Sequence, residues 1–170
     1  MQISDMTRPT ADAVESRLTY TDGTSRTVFT TDVEVPFPEG RLIVSRTDLK
    51  GILTHANDAF VELSGWEHDD LIGKPQHILR HPDMPKAAYK DLWDTIIEGK
   101  KWHGYVKNLR KDGSCYWVYA TVVPNIRQGK IAGYTSVRRK PSRTRIDEMI
   151  AVYRQWLAQE HIQDSEKVAP

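Results

Sequence analysis

The run Leu79-Arg80-His81-Pro82-Asp83-Met84-Pro85 sets a guanidinium, an imidazole and a carboxylate within four residues and punctuates them with two prolines. Each proline fixes its own φ and pushes the residue before it toward extended backbone. The segment therefore reads as a stiff loop that aims its polar heads, not as a helix with charge on its outside. A stiff loop suits a large polar ligand, because ordering entropy is lost on folding and not on binding. The run on its own fits a self-contained network of Arg80 with Asp83 equally well.

Other side chains with chemical potential are scattered around it. Asn108 falls on a predicted central strand, an awkward place for an amide with nothing to bind, and an amide offers both donor and acceptor. Asn57 opens a predicted helix, where an N-cap is its ordinary role. Trp93 and Trp102 sit on apolar stripes, where tryptophan usually packs. His77 and His81 are four residues apart with Asp83 near, the beginnings of a metal site. Pro82 makes a shared helical face doubtful, however, and no third ligand is spaced to join them. No Gly-x-Ser-x-Gly elbow, phosphate-binding loop or carboxylate pair points to hydrolysis.

Lys and Arg number 24 against 23 Asp and Glu, so a general polyanion partner is not indicated. Arg138-Arg139-Lys140, with Arg143 and Arg145, reads as a solvated strand end and helix start and not as a nucleic-acid patch. Cys115 is the only cysteine, which excludes an internal disulfide and fits a reducing cytoplasm. Residues 1–10 lack the apolar segment of a signal peptide. No stretch approaches the roughly 20 apolar residues that cross a bilayer.

These groups must be positioned by the elements around them. Thr10 to Leu18 reads as a short helix capped by Thr10, and Ser25 to Val35 as a strand. Pro36 to Gly40 breaks regular structure. Gly40–Arg46 and Ile52–His55 read as a hairpin of strands. Asn57–Ser64 reads as a helix ended by Gly65. Ala87–Glu98 is a helix with Leu92, Trp93, Ile96 and Ile97 as its apolar stripe. Three strands follow, Trp102–Arg110, Ser114–Ile126 and Lys130–Arg139, joined at Asp112-Gly113 and Gln128-Gly129. Tyr116, Val118, Ala120 and Val122 share one face of the middle strand, with Cys115, Trp117, Tyr119 and Thr121 on the other. Ile146–Ala158 is amphipathic.

The order Asn57-x-x-Phe60, Ser64-Gly65, Leu71-Ile72-Gly73, Trp93, Gly99, Lys107-Asn108-Leu109-Arg110-Lys111-Asp112-Gly113 and Tyr116-Trp117-Val118 resembles the PAS sensor family over residues 41–140. The Arg80-His81-Pro82-Asp83-Met84-Pro85 run within it is similar to the FAD-binding PAS domain of bacterial aerotaxis receptors. The resemblance implies an α+β PAS fold, a five-stranded antiparallel sheet with short helices on one face. Residues 1–40 then form an N-terminal extension, 141–162 a C-terminal amphipathic helix and 163–170 a polar, frayed tail.

The resemblance also implies noncovalent FAD, with Asn108 at the flavin ring edge, Asn57 near the cofactor, and Trp93 and Trp102 flanking the ring. Arg80, His81 and Asp83 would serve the rest of the nucleotide. The implied function is a cytoplasmic redox or oxygen sensor, not an enzyme, that signals to a receptor or histidine kinase. Aerotaxis receptors carry an anchor and a signalling domain after this unit. The chain stops at Pro170 without them, so it is expected to report in trans or to be a piece of something longer. The apolar stripe of the last helix and the extension suggest a homodimer. Light-sensing flavin domains need a cysteine where Pro75–His81 has none. A ligand-free interaction module with its core filled by tryptophans stays open, as does a haem sensor using His55, His77, His81 or His103. A flavin-dependent enzyme is a further alternative.

Overall fold

A computed structural model describes residues 2–168. Its main sheet has five antiparallel strands: β3 (Ile43–Thr47), β4 (Leu53–Ala56), β5 (Trp102–Leu109), β6 (Cys115–Arg127) and β7 (Lys130–Arg139), in the order β4-β3-β7-β6-β5. A separate hairpin pairs β1 (Val14–Thr19) with β2 (Ser25–Thr30). The helices are α1 (Asp58–Ser64), α2 (His68–Leu71), α3 (Lys86–Ile97) and α4 (Arg143–Val168), with a 3-10 turn at Gln76–Leu79. This is the sheet and helix arrangement that the resemblance implied.

Local chemistry fixes the elements that matter here. Gln128 and Gly129 both take positive φ, at 50° and 74°, the backbone that closes a tight hairpin between twisted strands. Gly65 ends α1 in the left-handed conformation, φ 73°, where its N–H donates to the Val61 carbonyl. Inward residues Tyr116, Val118, Ala120 and Val122 join Ile43, Leu53, Phe60, Leu71, Leu79 and Ile96 in the principal core. On the opposite face of the sheet Trp117 packs with Ile146, Tyr153, Met84 and Ala88, so α4 covers that side. Ile97, expected on the buried stripe of α3, is 60% exposed. It is the residue beside Ile96, and the helix rotates the two about 100° apart.

Two expectations from sequence are corrected. Residues 10–18 are not a helix. Val14–Thr19 is a strand, in register from Val14 opposite Thr30 to Thr19 opposite Ser25. A nine-residue helix is marginal alone. The hairpin ladder, closed at Asp22 and Gly23, supplies the better set of backbone partners. The last helix does not fray at residue 163. It continues to Val168, held by Glu160 Oε1 accepting from the Ala87 N–H at 2.9 Å and by Asp164 beside Lys86 at 3.5 Å. The end of the tail, 169–170, lies outside the described residues.

The segment after the hairpin follows the sheet. Val35 N–H donates to the Cys115 carbonyl and Cys115 N–H to the Val33 carbonyl, at 2.7 and 2.9 Å. No helix among the described residues is long and apolar enough to cross a membrane.

Candidate functional site

The inward face of the sheet, α3, the 3-10 turn, the first hairpin and the end of α4 line a partly open cavity of about 1040 Å³. Its walls are mixed. Leu79, Leu92, Ile96, Val106, Ala120 and Val122 supply apolar surface. Arg80, Asn108 and Arg138 bring polar heads into it.

Asn108 lies on β5, which is an edge strand of the sheet and not the central strand expected from sequence; an isolated antiparallel bridge to Arg80 lays the start of the proline loop along that edge. The bridge decides where each loop residue points, because side chains alternate across extended backbone. Arg80 lines the cavity and His81 does not. The Arg80 guanidinium lies over the Tyr89 ring, 5.0 Å from its centroid. It makes no ion pair among the described residues, and its Nε is buried without a hydrogen-bond partner. Asn108 is 5% exposed, and its Nδ2 faces the Tyr116 hydroxyl without a well-formed hydrogen bond.

His81 and Asp83 serve the loop's other side. His81 Nδ1 accepts from the Asp83 N–H at 3.0 Å, and Asp83 pairs with Lys107 Nζ at 2.7 Å. Burial pushes the His81 imidazole down to about 4, the Lys107 charge adds to this, and Asp83 opposes it. His81 is therefore neutral at pH 7, which suits its role as an acceptor.

Asn57 lies outside the cavity wall. Its Oδ1 accepts from the N–H groups of Phe60 and Val44, each at 3.1 Å, while Nδ2 donates to the Leu42 carbonyl at 2.9 Å. The side chain caps α1 and ties it to β3. Trp93 and Trp102 both line the cavity. Trp93 packs edge-on to Tyr134, and Trp102 Nε1 donates to Asp91 at 2.8 Å. The structure thus brings Arg80, Asn108, Trp93 and Trp102 to one cavity and leaves Asn57, His81 and Asp83 outside its lining.

Several cavity residues escape a reading of the sequence. Arg138 is the clearest. Its basic neighbours make it read as solvated, yet it is 5% exposed, and its Nη1 and Nη2 lie 3.1 and 3.2 Å from Ser45 Oγ. Arg139 and Lys140 do face water. Period-two alternation along β7 places Arg138 on the face of Tyr134 and Ser136. Burial lowers the Arg138 guanidinium to about 10, with Tyr116 nearby opposing. Tyr116 stands beside it with a buried, unpartnered hydroxyl that burial pushes up to about 12. Tyr20 and His77, stacked at 3.9 Å, line another side of the cavity. Nothing in the local sequence signals that pairing, since it joins the first hairpin to the 3-10 turn.

A sheet of this topology with a ligand-sized cavity between its face and short helices defines a sensor-domain architecture. A family model described as PAS fold matches residues 53–138, and the chain belongs to that family. Over 123 residues it is 46% identical to the aerotaxis receptor of Escherichia coli strain K12, a stretch that is 72% of this chain and 24% of the receptor. Over 102 residues it is 27% identical to the nitrogen fixation regulatory protein of Klebsiella pneumoniae, covering 59% of this chain and 21% of that one. The chain thus spans a quarter or less of these two relatives. The solved LOV protein of Rhodobacter sphaeroides shares the fold at a TM-score of 0.55 and 16% identity, over 63% of either chain.

Proposed function

We propose that this PAS domain holds FAD noncovalently and reports its redox state to a signalling protein in trans. The observation that carries the reading is the pair Arg80 and Asn108. Two polar residues meet at one backbone bridge on a cavity wall; Arg80 Nε is buried with no partner, and Asn108 Nδ2 faces only the Tyr116 hydroxyl, without a well-formed hydrogen bond. Buried polar atoms are ordinarily satisfied, and exceptions of this kind mark a missing partner. The donor set fits a flavin nucleotide. Asn108 offers an amide to a ring edge of mixed donors and acceptors, and Arg80 offers charge to an anionic or carbonyl oxygen. Trp93 and Trp102 supply flat apolar wall, and the volume suits a ligand of that size. The likeness to an aerotaxis receptor supports the redox reading.

A bound flavin would supply reversible uptake of electrons and a proton. The chain's own residues do the rest. Asn108 can turn its amide to present either donor or acceptor. Arg80 holds the ligand while Asp83, His81 and Lys107 hold the loop that aims it, and Asn57 fixes the helix facing the sheet. A shift of β5 reaches α4 directly, because the Tyr153 hydroxyl donates to the Tyr105 carbonyl at 2.6 Å. The C-terminal helix is therefore the outlet, and a cytoplasmic homodimer presenting two such helices is the expected working form.

Purified protein should be yellow and release FAD on heating. Hydrogen exchange in α4 should differ between oxidised and reduced protein, since a sensor needs two states that a partner can tell apart. A colourless protein that refuses added FAD would overturn the reading in favour of a ligand-free interaction module. A red protein with a strong Soret band would overturn it in favour of haem.

A further inference from the structure

The cavity extends beyond Arg80 to the N-terminal hairpin, where Tyr20, Asp22 and His77 line it. Behind them lies Arg26, the bulkiest of the side chains that are almost wholly buried, at 1% exposed. Its Nη1 donates to the Ile78 carbonyl at 3.2 Å, and its guanidinium sits 5.5 Å from the Trp66 ring. Its Nε and Nη2 make no well-formed hydrogen bond, although the Tyr20 hydroxyl faces the guanidinium. Neither Arg26 nor Arg80 forms an ion pair among the described residues. His77 Nε2 is buried without a partner in the same region, where the Tyr20 hydroxyl faces the Arg26 guanidinium. Asp22, on the hairpin turn, accepts instead from the N–H and hydroxyl of Thr24, at 2.9 and 2.6 Å. One corner of the protein thus buries two guanidinium groups, a phenol and an imidazole with no carboxylate paired to them.

Burying an unpaired charge is costly, and two close together more so. A neutral ligand would not offset this. An anion with several oxygen acceptors would, because each guanidinium presents a fork of donors suited to phosphate. We propose that the hairpin completes the ligand site, with Tyr20, His77 and Arg80 lining a subsite for the phosphate-bearing arm of a nucleotide and the buried Arg26 charge behind them reinforcing it. The proposal rests on the flavin reading above for what occupies the remainder of the cavity. Residues 14–30 thereby acquire a role, since the hairpin brings Tyr20 and Arg26 to the 3-10 turn and so sets which flavins are retained. His77, neutral because burial lowers it to about 4, offers ring and nitrogen without adding charge.

The test measures binding of riboflavin, FMN, FAD and ADP to wild type, Arg26→Met and Tyr20→Phe, by fluorescence quenching for the flavins and calorimetry for ADP. Losing the positive charge behind the subsite should weaken FAD and FMN about tenfold in Arg26→Met and leave riboflavin within about twofold. Tyr20→Phe, which keeps the stacked ring and deletes one hydroxyl, should act in the same direction by about threefold. It stands as the deciding variant if Arg26→Met does not fold. Equal loss of riboflavin and FAD, or loss of neither, overturns the subsite and leaves the flavin reading standing. Binding of ADP that depends on Arg26, in a protein that takes no flavin, supports the subsite and overturns the flavin reading. Absence of binding by all four overturns both.

Discussion

Strand β5 and the loop bridged to it have two faces that are treated very differently. On the outer face each polar group has a partner within the fold. Lys107 Nζ meets Asp83, the Lys107 N–H donates to Met84 sulfur at 3.4 Å, and His81 accepts from the loop backbone. On the cavity face, one residue away along each backbone, Asn108 and Arg80 have buried nitrogens that make no well-formed hydrogen bond. Folding alone accounts for the outer face. It does not account for the inner one, because an unmade buried hydrogen bond costs more than a made one contributes. On the function proposed above the outer groups are scaffold and the inner ones bind the ligand, so mutation of the two faces should fail in different assays.

The largest effect belongs to the outer face. Tyr153 is 4% exposed, stacks parallel to Trp117 at 6.3 Å and donates to the Tyr105 carbonyl. Tyr153→Ala should cost about 3 kcal/mol of stability by urea denaturation, the range for deleting a buried aromatic. Tyr153→Phe should cost about 1 kcal/mol and retain FAD while uncoupling α4 exchange from redox state. If Tyr153→Phe loses FAD instead, the outer face is not merely scaffold.

The inner face should show the opposite pattern. Arg80→Met keeps an aliphatic side chain on the cavity wall and removes an unpaired buried charge, together with its contact to the Tyr89 ring. Apoprotein stability should be unchanged or higher, while FAD affinity falls by about 2 kcal/mol, roughly thirtyfold. Asn108→Leu should behave likewise with a smaller loss. A variant that unfolds the apoprotein would show that Arg80 has a structural partner after all.

How much of the fold and site is legible in the chain follows from the range of the interactions. The strands of the sheet, the capped helix at Asn57 and the stripe of α3 are written in local periodicity and turn residues, and the structure follows them closely. Asn57 illustrates the boundary. Its cap can be read from one helix start, but its Nδ2 bond to Leu42 joins residues 15 apart and cannot. The proline loop announces itself as stiff, yet nothing local says that Arg80 turns inward and His81 outward. The bridge to Asn108, 28 residues downstream, decides that. A helix over Thr10–Leu18 fails for the same reason. The pattern tolerates a helix, and only pairing with β2 makes it a strand. Arg26 and Arg138 are the instructive omissions, since a basic residue on a strand reads as solvated until the sheet is assembled around it.

Protons offer a way to compare the faces without mutation. Burial lowers both His77, on the cavity wall, and His81, on the outer side, to about 4. Each would titrate near 6.5 in the unfolded chain. Between those values the unfolded state binds protons that the folded state refuses. Stability therefore falls as pH drops from about 6.5 to 4, by up to about 3 kcal/mol for each histidine, and this contribution levels off below. Urea midpoints at pH 7 and pH 5 check the sign, and equal midpoints would refute it. In histidine NMR spectra, added FAD should move the His77 resonances and leave those of His81 nearly still.

The smallest effect is the sharpest test of the division. Asp83 is 63% exposed at its side chain and Lys107 19%, so their ion pair is largely solvated and should contribute about 0.5 kcal/mol to stability. If Asp83 acts by holding the loop, Asp83→Asn and Lys107→Met should each weaken FAD by a similar factor, about threefold, and the double variant should be no worse than either. That non-additivity is what a shared interaction produces. The effect should also shrink in high salt, which screens an exposed pair. If Asp83 instead accepts directly from the ligand, its loss should exceed that of Lys107→Met, the two should add, and salt should matter little. That outcome would move Asp83 from scaffold to site and place the dividing line beyond the loop's second proline, not at the Arg80–His81 peptide.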